Sequence, residues 1–163
     1  MSLVAGKVVA PGEGKATWFL GHRLEMKVRG ADTNGAWAMF EHLTAPAPLL
    51  GAPPHVHKAQ DEWFYVVSGQ IRCGLDREVV EAGPGSTILI PSGTVHWFEN
   101  AGAEPSLMLC VVSPAGLEEF FEELGEPATT RALPPPPSGP PDIARMMALS
   151  DKYGFEILPV KQP

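Results

Sequence analysis

Apolar and polar residues alternate with a two-residue period through most of the chain up to Val112, in short runs that glycine and proline keep interrupting. Such alternation marks strands with one buried face, because successive side chains of a strand point to opposite sides. The runs "TWFLGHRLEMKVRG" (17–30) and "AWAMFEHLT" (36–44) predict two or three strands, and Asn34-Gly35 between them is a hairpin-turn signal. Further strands are expected at Val56–His57, Glu62–Val67, Gln70–Leu75, Glu78–Glu81, Thr87–Ile90, Val95–Glu99 and Ser106–Val112. Turn signals separate them at Ser68-Gly69, Ala82-Gly83-Pro84-Gly85 and Pro91-Ser92-Gly93. Many short strands without helical patterns between them favour an all-β barrel or sandwich over βαβ units, with a small closed barrel as first choice.

A helical period appears only beyond that region. In "SPAGLEEFFEELG" the residues Leu117, Phe120, Phe121 and Leu124 share one face, with Pro114 placed for the first turn and Gly125 for a stop. The proline-rich "LPPPPSGPP" (133–141) reads as a stiff, extended spacer. A second helix follows from about Asp142, a suitable N-cap, to Tyr153, with Gly154 ending it. The expected organisation is one domain, 1–163, with its barrel core at about 45–113 and a C-terminal helical extension at 114–163.

Composition narrows the picture. A chain of 163 residues, 44% of them hydrophobic, has enough apolar surface for one packed core. The formal charge of -7, with no cluster of lysines and arginines, argues against a nucleic-acid partner. Cys73 and Cys110 each sit inside an apolar run and read as reduced, buried thiols, which fits the cytoplasm. The opening "MSLVAGKVVAPGEGK" lacks the pattern of a secretory leader, and no apolar run approaches the ~18 residues of a membrane span. A soluble protein without a membrane anchor is expected.

The candidate chemistry lies in two stretches. In "PPHVHKAQDEWFYVVSG" (53–69) His55 and His57 are two apart and share a strand face, so two imidazoles can grip one ion. Glu62 joins that face only if "KAQD" makes a turn, and Phe64 and Val66 then follow it inward. In "GSTILIPSGTVHWFEN" (85–100) His96 shares its face with Phe98. His22 and His42 lie outside both stretches and read as structural.

Together the two stretches resemble the motifs of the cupin superfamily: His55-x-His57-x4-Glu62-x6-Gly69, then Gly85-x5-Pro91-x-Gly93-x2-His96-x3-Asn100. The family's first motif usually opens with a glycine where this chain has Leu49, a departure that bears on a local turn. The flanking text is similar to small single-domain, quercetin-dioxygenase-like cupins. The resemblance implies an antiparallel jelly-roll β-barrel holding a divalent metal through His55, His57, Glu62 and His96, and its spacing selects Glu62 over Asp61, which becomes a turn residue. Three nitrogens and one carboxylate oxygen suit iron, manganese, nickel, cobalt, copper or zinc and disfavour calcium and magnesium. Phe64, Val66 and Phe98 are expected to line the metal chamber, while Trp63, Tyr65 and Val67 pack elsewhere. Asn100 is given a structural role.

The implied activity is that of a dioxygenase resembling quercetin 2,3-dioxygenase, with Glu62 as general base, a small enolisable or phenolic substrate, and dioxygen. The alternatives are a metal-dependent isomerase and a non-catalytic binder of a small ligand or metal. A homodimer is the expected assembly.

Overall fold

The computed structural model describes residues 5–136 and 139–159. Among them, strands β1 (Ala16–Phe19), β2 (His22–Val28) and β3 (Ala38–Thr44) open the chain. They are followed by β4 (Leu50–His57), β5 (Asp61–Ser68), β6 (Ile71–Leu75), β7 (Glu78–Ala82), β8 (Thr87–Ile90), β9 (His96–Asn100) and β10 (Ser106–Ser113). Helix α1 (Leu117–Leu124), the short β11 (Glu126–Pro127), helix α2 (Ile143–Lys152) and β12 (Phe155–Ile157) complete it. The alternation in the sequence is the alternation of burial: on β3 Ala38, Phe40, His42 and Thr44 are buried while Met39, Glu41 and Leu43 are half-buried.

The strands form two antiparallel sheets, one ordered β11-β1-β2-β3-β10-β5-β8 and the other β12-β4-β9-β6-β7. The closed barrel expected from the sequence does not form, since no named strand of one sheet pairs with a named strand of the other. The turns explain why. The segment 58–60 joins β4 to β5, 69–70 joins β5 to β6, and 91–95 joins β8 to β9, each passing from one sheet to the other instead of closing a hairpin. Crossing that gap, about 10 Å between packed sheets, spends the turn on direction rather than on pairing. Gly69 (φ 81°) and Gly93 (φ 85°) supply the left-handed backbone that these reversals need.

The two inner faces meet in a core that includes Leu24, Phe40, Phe64, Val66, Ile71, Phe98 and Met108. Helix α1 covers its open flank with Leu117 and Phe120 buried, and Phe121 and Leu124 packed against it. Pro114 precedes this helix rather than joining its first turn: buried Glu118 reaches back to accept N–H bonds from Gly116 and Gly30, both at 2.8 Å, and fixes the start at Leu117. The expected Asp142 cap is present, its carboxylate accepting the Arg145 N–H at 3.0 Å, and Gly154 (φ 82°) ends the turn after α2. The described part of the proline-rich connector is neither helix nor strand, and Pro137 and Ser138 lie outside the described residues. Trp63, Tyr65 and Val67 share the outer face of β5; Tyr65 and Val67 are exposed rather than packed. No helix among the described residues is long and apolar enough to cross a membrane.

Candidate metal centre

Strands β4 and β9 are neighbours, and their register sets His55 opposite His96. Their rings stand 4.0 Å apart, and His57, two residues along the same face, stacks 5.5 Å from His96. Glu62 arrives from the opposite sheet. It lies on β5 between Val112 and Ile90, and its Oε2 is 3.1 Å from His96 Nε2 and 3.6 Å from His57 Nε2. The five-residue offset from His57, which would misplace Glu62 on a continuous strand, is resolved by this crossing between sheets. All four side chains are buried, and one ligand atom from each lies within 4.8 Å of the others.

Each of the three imidazoles is oriented by a hydrogen bond from its Nδ1. The Nδ1 of His55 donates to the Pro53 carbonyl at 2.8 Å, and that of His96 to the Thr94 carbonyl at 3.0 Å. The Nδ1 of His57 donates to Gln60 Oε1 at 3.1 Å, and Gln60 is itself oriented by its amide N–H to the Pro114 carbonyl. Since each partner oxygen only accepts, Nδ1 carries a proton in all three; Nε2 of His55 and His57 turns its lone pair inward, the arrangement that metal-binding histidines adopt, while Nε2 of His96 donates to Glu62. Among the described residues His57 Nε2 is buried without a hydrogen-bond partner. An orphan of that kind costs about 1–3 kcal/mol unless something binds it. A divalent transition ion fits the donor set.

Electrostatics agree with that reading. Burial, helped by His96 and His57, pushes His55 down to about 3, and burial likewise lowers His57 despite Glu62. Both stay neutral and available as ligands. For His96 burial acts downward but the hydrogen bond and charge of Glu62 win and raise its pKa; for Glu62 burial acts upward but the His96 hydrogen bond and the neighbouring imidazoles lower it. In the metal-free protein His96 and Glu62 thus form an ion pair, and an ion entering the site takes the place of the His96 Nε2 proton.

Behind the ligands, β12 pairs with β4 so that Phe155 opposes His57 and Ile157 opposes His55. The Phe155 ring lies 5.3 Å from that of His57 and 6.0 Å from that of His55. A cavity of about 50 Å³ opens beside the tetrad, its wall including His55, Glu62, His42, Phe98, Phe120 and Phe155. Phe98 can occupy its place because Gly51 has no Cβ, which would stand 2.0 Å from the ring. Phe64 and Val66 are buried beneath Glu62 on β5, outside the cavity wall. Asp61 accepts the Ser92 N–H at 2.9 Å, the turn role expected of it. Asn100 bonds the Thr44 and Glu104 carbonyls and the Gly102 N–H, which ties down the end of β9. Gln60, His42 and Phe155 were not marked as site residues by the sequence; none belongs to a motif, and only the fold brings them here.

Residues 45–112, which carry the whole tetrad, match the Cupin domain family (Cupin_2). The chain is similar to the uncharacterized protein MJ1618 of Methanocaldococcus jannaschii, 38% identical over 70 residues that make up 43% of this chain and 56% of that protein. It thus spans little more than half the length of that relative. Among solved structures the fold is similar to KdgF from Halomonas, at 21% identity and a TM-score of 0.58 over 68% of this chain and 94% of that one. It is also similar to the oxalate decarboxylase of Bacillus subtilis, which has Mn(II) centres, at 20% identity and a TM-score of 0.53 over 63% of this chain and 28% of that one. These two likenesses show a fold shared with those proteins.

Proposed function

We propose that the protein is a metal-dependent oxidoreductase of dioxygenase type that acts on a small enolisable or phenolic substrate, with His55, His57, Glu62 and His96 as metal ligands and Glu62 as general base. The observation that carries this reading is the buried tetrad with each imidazole oriented through its Nδ1 and His57 Nε2 left without a hydrogen bond among the described residues. A bound divalent ion would supply Lewis acidity toward a substrate oxygen and, if redox-active, a route for electrons to dioxygen. Three neutral imidazoles and one carboxylate leave that ion with one uncompensated positive charge, which suits an enolate or phenolate. Glu62, kept ionised by its neighbours, accepts the substrate's O–H proton at Oε2. The apolar wall, with Phe98 and Phe120, keeps bulk water out. Phe64 and Val66 brace that wall from below.

At about 50 Å³ the cavity is well below the roughly 150 Å³ that takes a benzene ring, so a diketone or phenol reaches the tetrad only when the wall opens, and the quercetinase-like branch defines the chemistry more than the substrate. No lysine or arginine lines the cavity among the described residues, which disfavours a sugar phosphate and hence the isomerase reading. The same small volume supports one second reading, a non-catalytic binder of a metal or small ligand. Two further readings are ours. Unpaired, buried Cys73 and Cys110 fit the reducing cytoplasm, and exposed Tyr65, Val67 and Leu89 on adjacent strands β5 and β8 offer a face for a homodimer.

Elemental analysis of protein purified without added metal is expected to find close to one transition ion per chain. Oxygen uptake with acetylacetone and with phenols, using protein loaded with each candidate ion, is then expected for at least one ion and lost in Glu62→Gln. Metal binding without uptake for any ion supports the binder instead, and absence of metal binding overturns both.

A further inference from the structure

A second, larger space lies against the cavity at the tetrad: a groove of about 870 Å³. One side of it is formed by residues 18–21 at the turn from β1 to β2 and by Pro48 and Leu49 ahead of β4. The other side is the proline-rich connector with Ile143, Arg145 and Met146 of α2. Small-molecule sites occupy roughly 300–1,000 Å³, a range that includes the groove and excludes the inner cavity of about 50 Å³. Phe19, Leu20, Pro53 and Met146 line both spaces, so a single layer of side chains separates them.

The groove's walls are tied to the fold. Trp18 Nε1 donates to the Ala132 carbonyl at 3.1 Å, which pins the chain just ahead of the connector to β1. Arg145 donates to the Glu123 carbonyl at 3.0 Å, and Lys152 and Tyr153 donate to the Glu123 carboxylate at 2.7 and 2.6 Å, so α2 is held on α1. Most of the lining is apolar, and two of its charged residues are engaged within the fold, Asp142 as the cap of α2 and Arg145 on Glu123. An uncharged, apolar guest matches such a surface. At the boundary with the inner cavity, the Phe19 ring is packed edge-on against Phe120 and Phe121 at 5.7 and 5.5 Å, and Pro53 lies within β4 with its carbonyl on His55 Nδ1. Met146 is the adaptable member, an unbranched thioether that can change rotamer without moving the backbone of α2. Its swing joins the groove to the cavity.

Resting on the reading of the tetrad as a metal site for an enolisable or phenolic group, we infer that this groove binds the body of the substrate while its reactive head passes Met146 to reach the tetrad. The substrate class is thereby a molecule with a small acidic head and an uncharged, apolar body of at least one ring. The continuity of groove and cavity through four shared wall residues assigns the groove to the tetrad's own substrate. Ile143 and Leu124, which line the groove alone, are specificity-determining contacts for that body.

The test uses cobalt(II)-loaded protein without oxygen, titrated with acetylacetone and with benzoylacetone, which share the diketone head and differ in a phenyl for one methyl. The cobalt absorption band reports engagement of the metal, and calorimetry reports affinity. Both diketones are expected to shift the band, with benzoylacetone binding about tenfold tighter, which needs only about 60 Å² of the ring to leave water. Ile143→Glu, which puts a charge on the groove at a helical first turn that accepts one, should erase that preference. In zinc-loaded wild-type protein labelled at isoleucine, leucine and methionine methyls, benzoylacetone should move the Ile143, Leu124 and Met146 signals and leave Ile71 and Met108, which line neither space, in place. That measurement needs no variant to fold. Equal affinities with the band shifted, a preference that survives Ile143→Glu, or unmoved Ile143 and Leu124 signals overturns the role of the groove while leaving the metal site standing. A dimer in solution that Ile143→Glu dissociates assigns the groove to a second copy of the chain and overturns it too. An unchanged band with both diketones defeats the metal-site reading itself, and this inference with it.

Discussion

Two buried carboxylates, Glu25 and Glu62, show how different surroundings give the same side chain opposite roles. Glu25 is 1% exposed and saturated: Arg23 and Lys27 bond it at 2.7 and 2.6 Å, and the N–H groups of Gly12 and Gly14 add two more contacts. Its neighbours bring permanent positive charge, so nothing further is needed. Glu62 is 4% exposed and has three imidazoles instead, two of them kept neutral and one with an unpartnered nitrogen. A buried carboxylate among committed cations holds structure, whereas one among uncommitted lone pairs marks a place for an ion.

The sharpest way to break that contrast is at the tetrad. His57→Ala should cut affinity for zinc or cobalt about a thousandfold, roughly one ligand's share of the binding free energy, and elemental analysis after dialysis should find little metal. Glu25→Ala should leave metal content intact but lower the unfolding free energy in urea by about 3–5 kcal/mol, because Arg23 and Lys27 are left buried and unpaired. If Glu25→Ala also loses its metal while folded, the two carboxylates are not independent.

Acid provides a third probe. Burial acts upward on Glu25, yet its hydrogen bonds to Lys27 and Arg23 bring its pKa from the ordinary 4.5 down to about 2. A group lowered on folding stabilises fully above its unfolded value, so this contribution, at most about 3 kcal/mol, is present above pH 4.5 and disappears as pH falls toward 2. Glu25→Gln should flatten the stability profile in that window. The smallest effect is expected at Gln60, which orients His57: Gln60→Ala should weaken metal binding about 10- to 100-fold with little change in thermal midpoint of the apo-protein.

The parts of the site legible in the sequence were those fixed by local geometry. The two-residue spacing of His55 and His57 survives any fold in which they lie on a strand, and the turns at Gly69, Gly85 and Gly93 need glycine wherever they lead. What the text did not carry was non-local. Whether a turn such as 58–60 closes a hairpin or crosses to a facing sheet depends on partners far away, which is why a barrel was expected where two sheets exist. Gln60, one amide among the polar residues of "KAQD", became visible only once Pro114 was beside it. The three residues of β12 were too few for alternation to announce them, although they cover the ligand strand. An imidazole in an apolar run usually reads as structural, and His42 is buried with its ring packed against His22 and Phe98.

The pairing of β12 with β4 makes the C-terminal helical segment a latch. The histidine pair gains the Phe155 side of its apolar wall when a strand from far downstream docks, beyond a proline-rich tether and α2. Readiness to capture an ion therefore arrives late in folding, once that long loop has closed. A protease that cut the tether would leave every ligand covalently in place and turn the docking of α2 and β12 into an encounter between two chains.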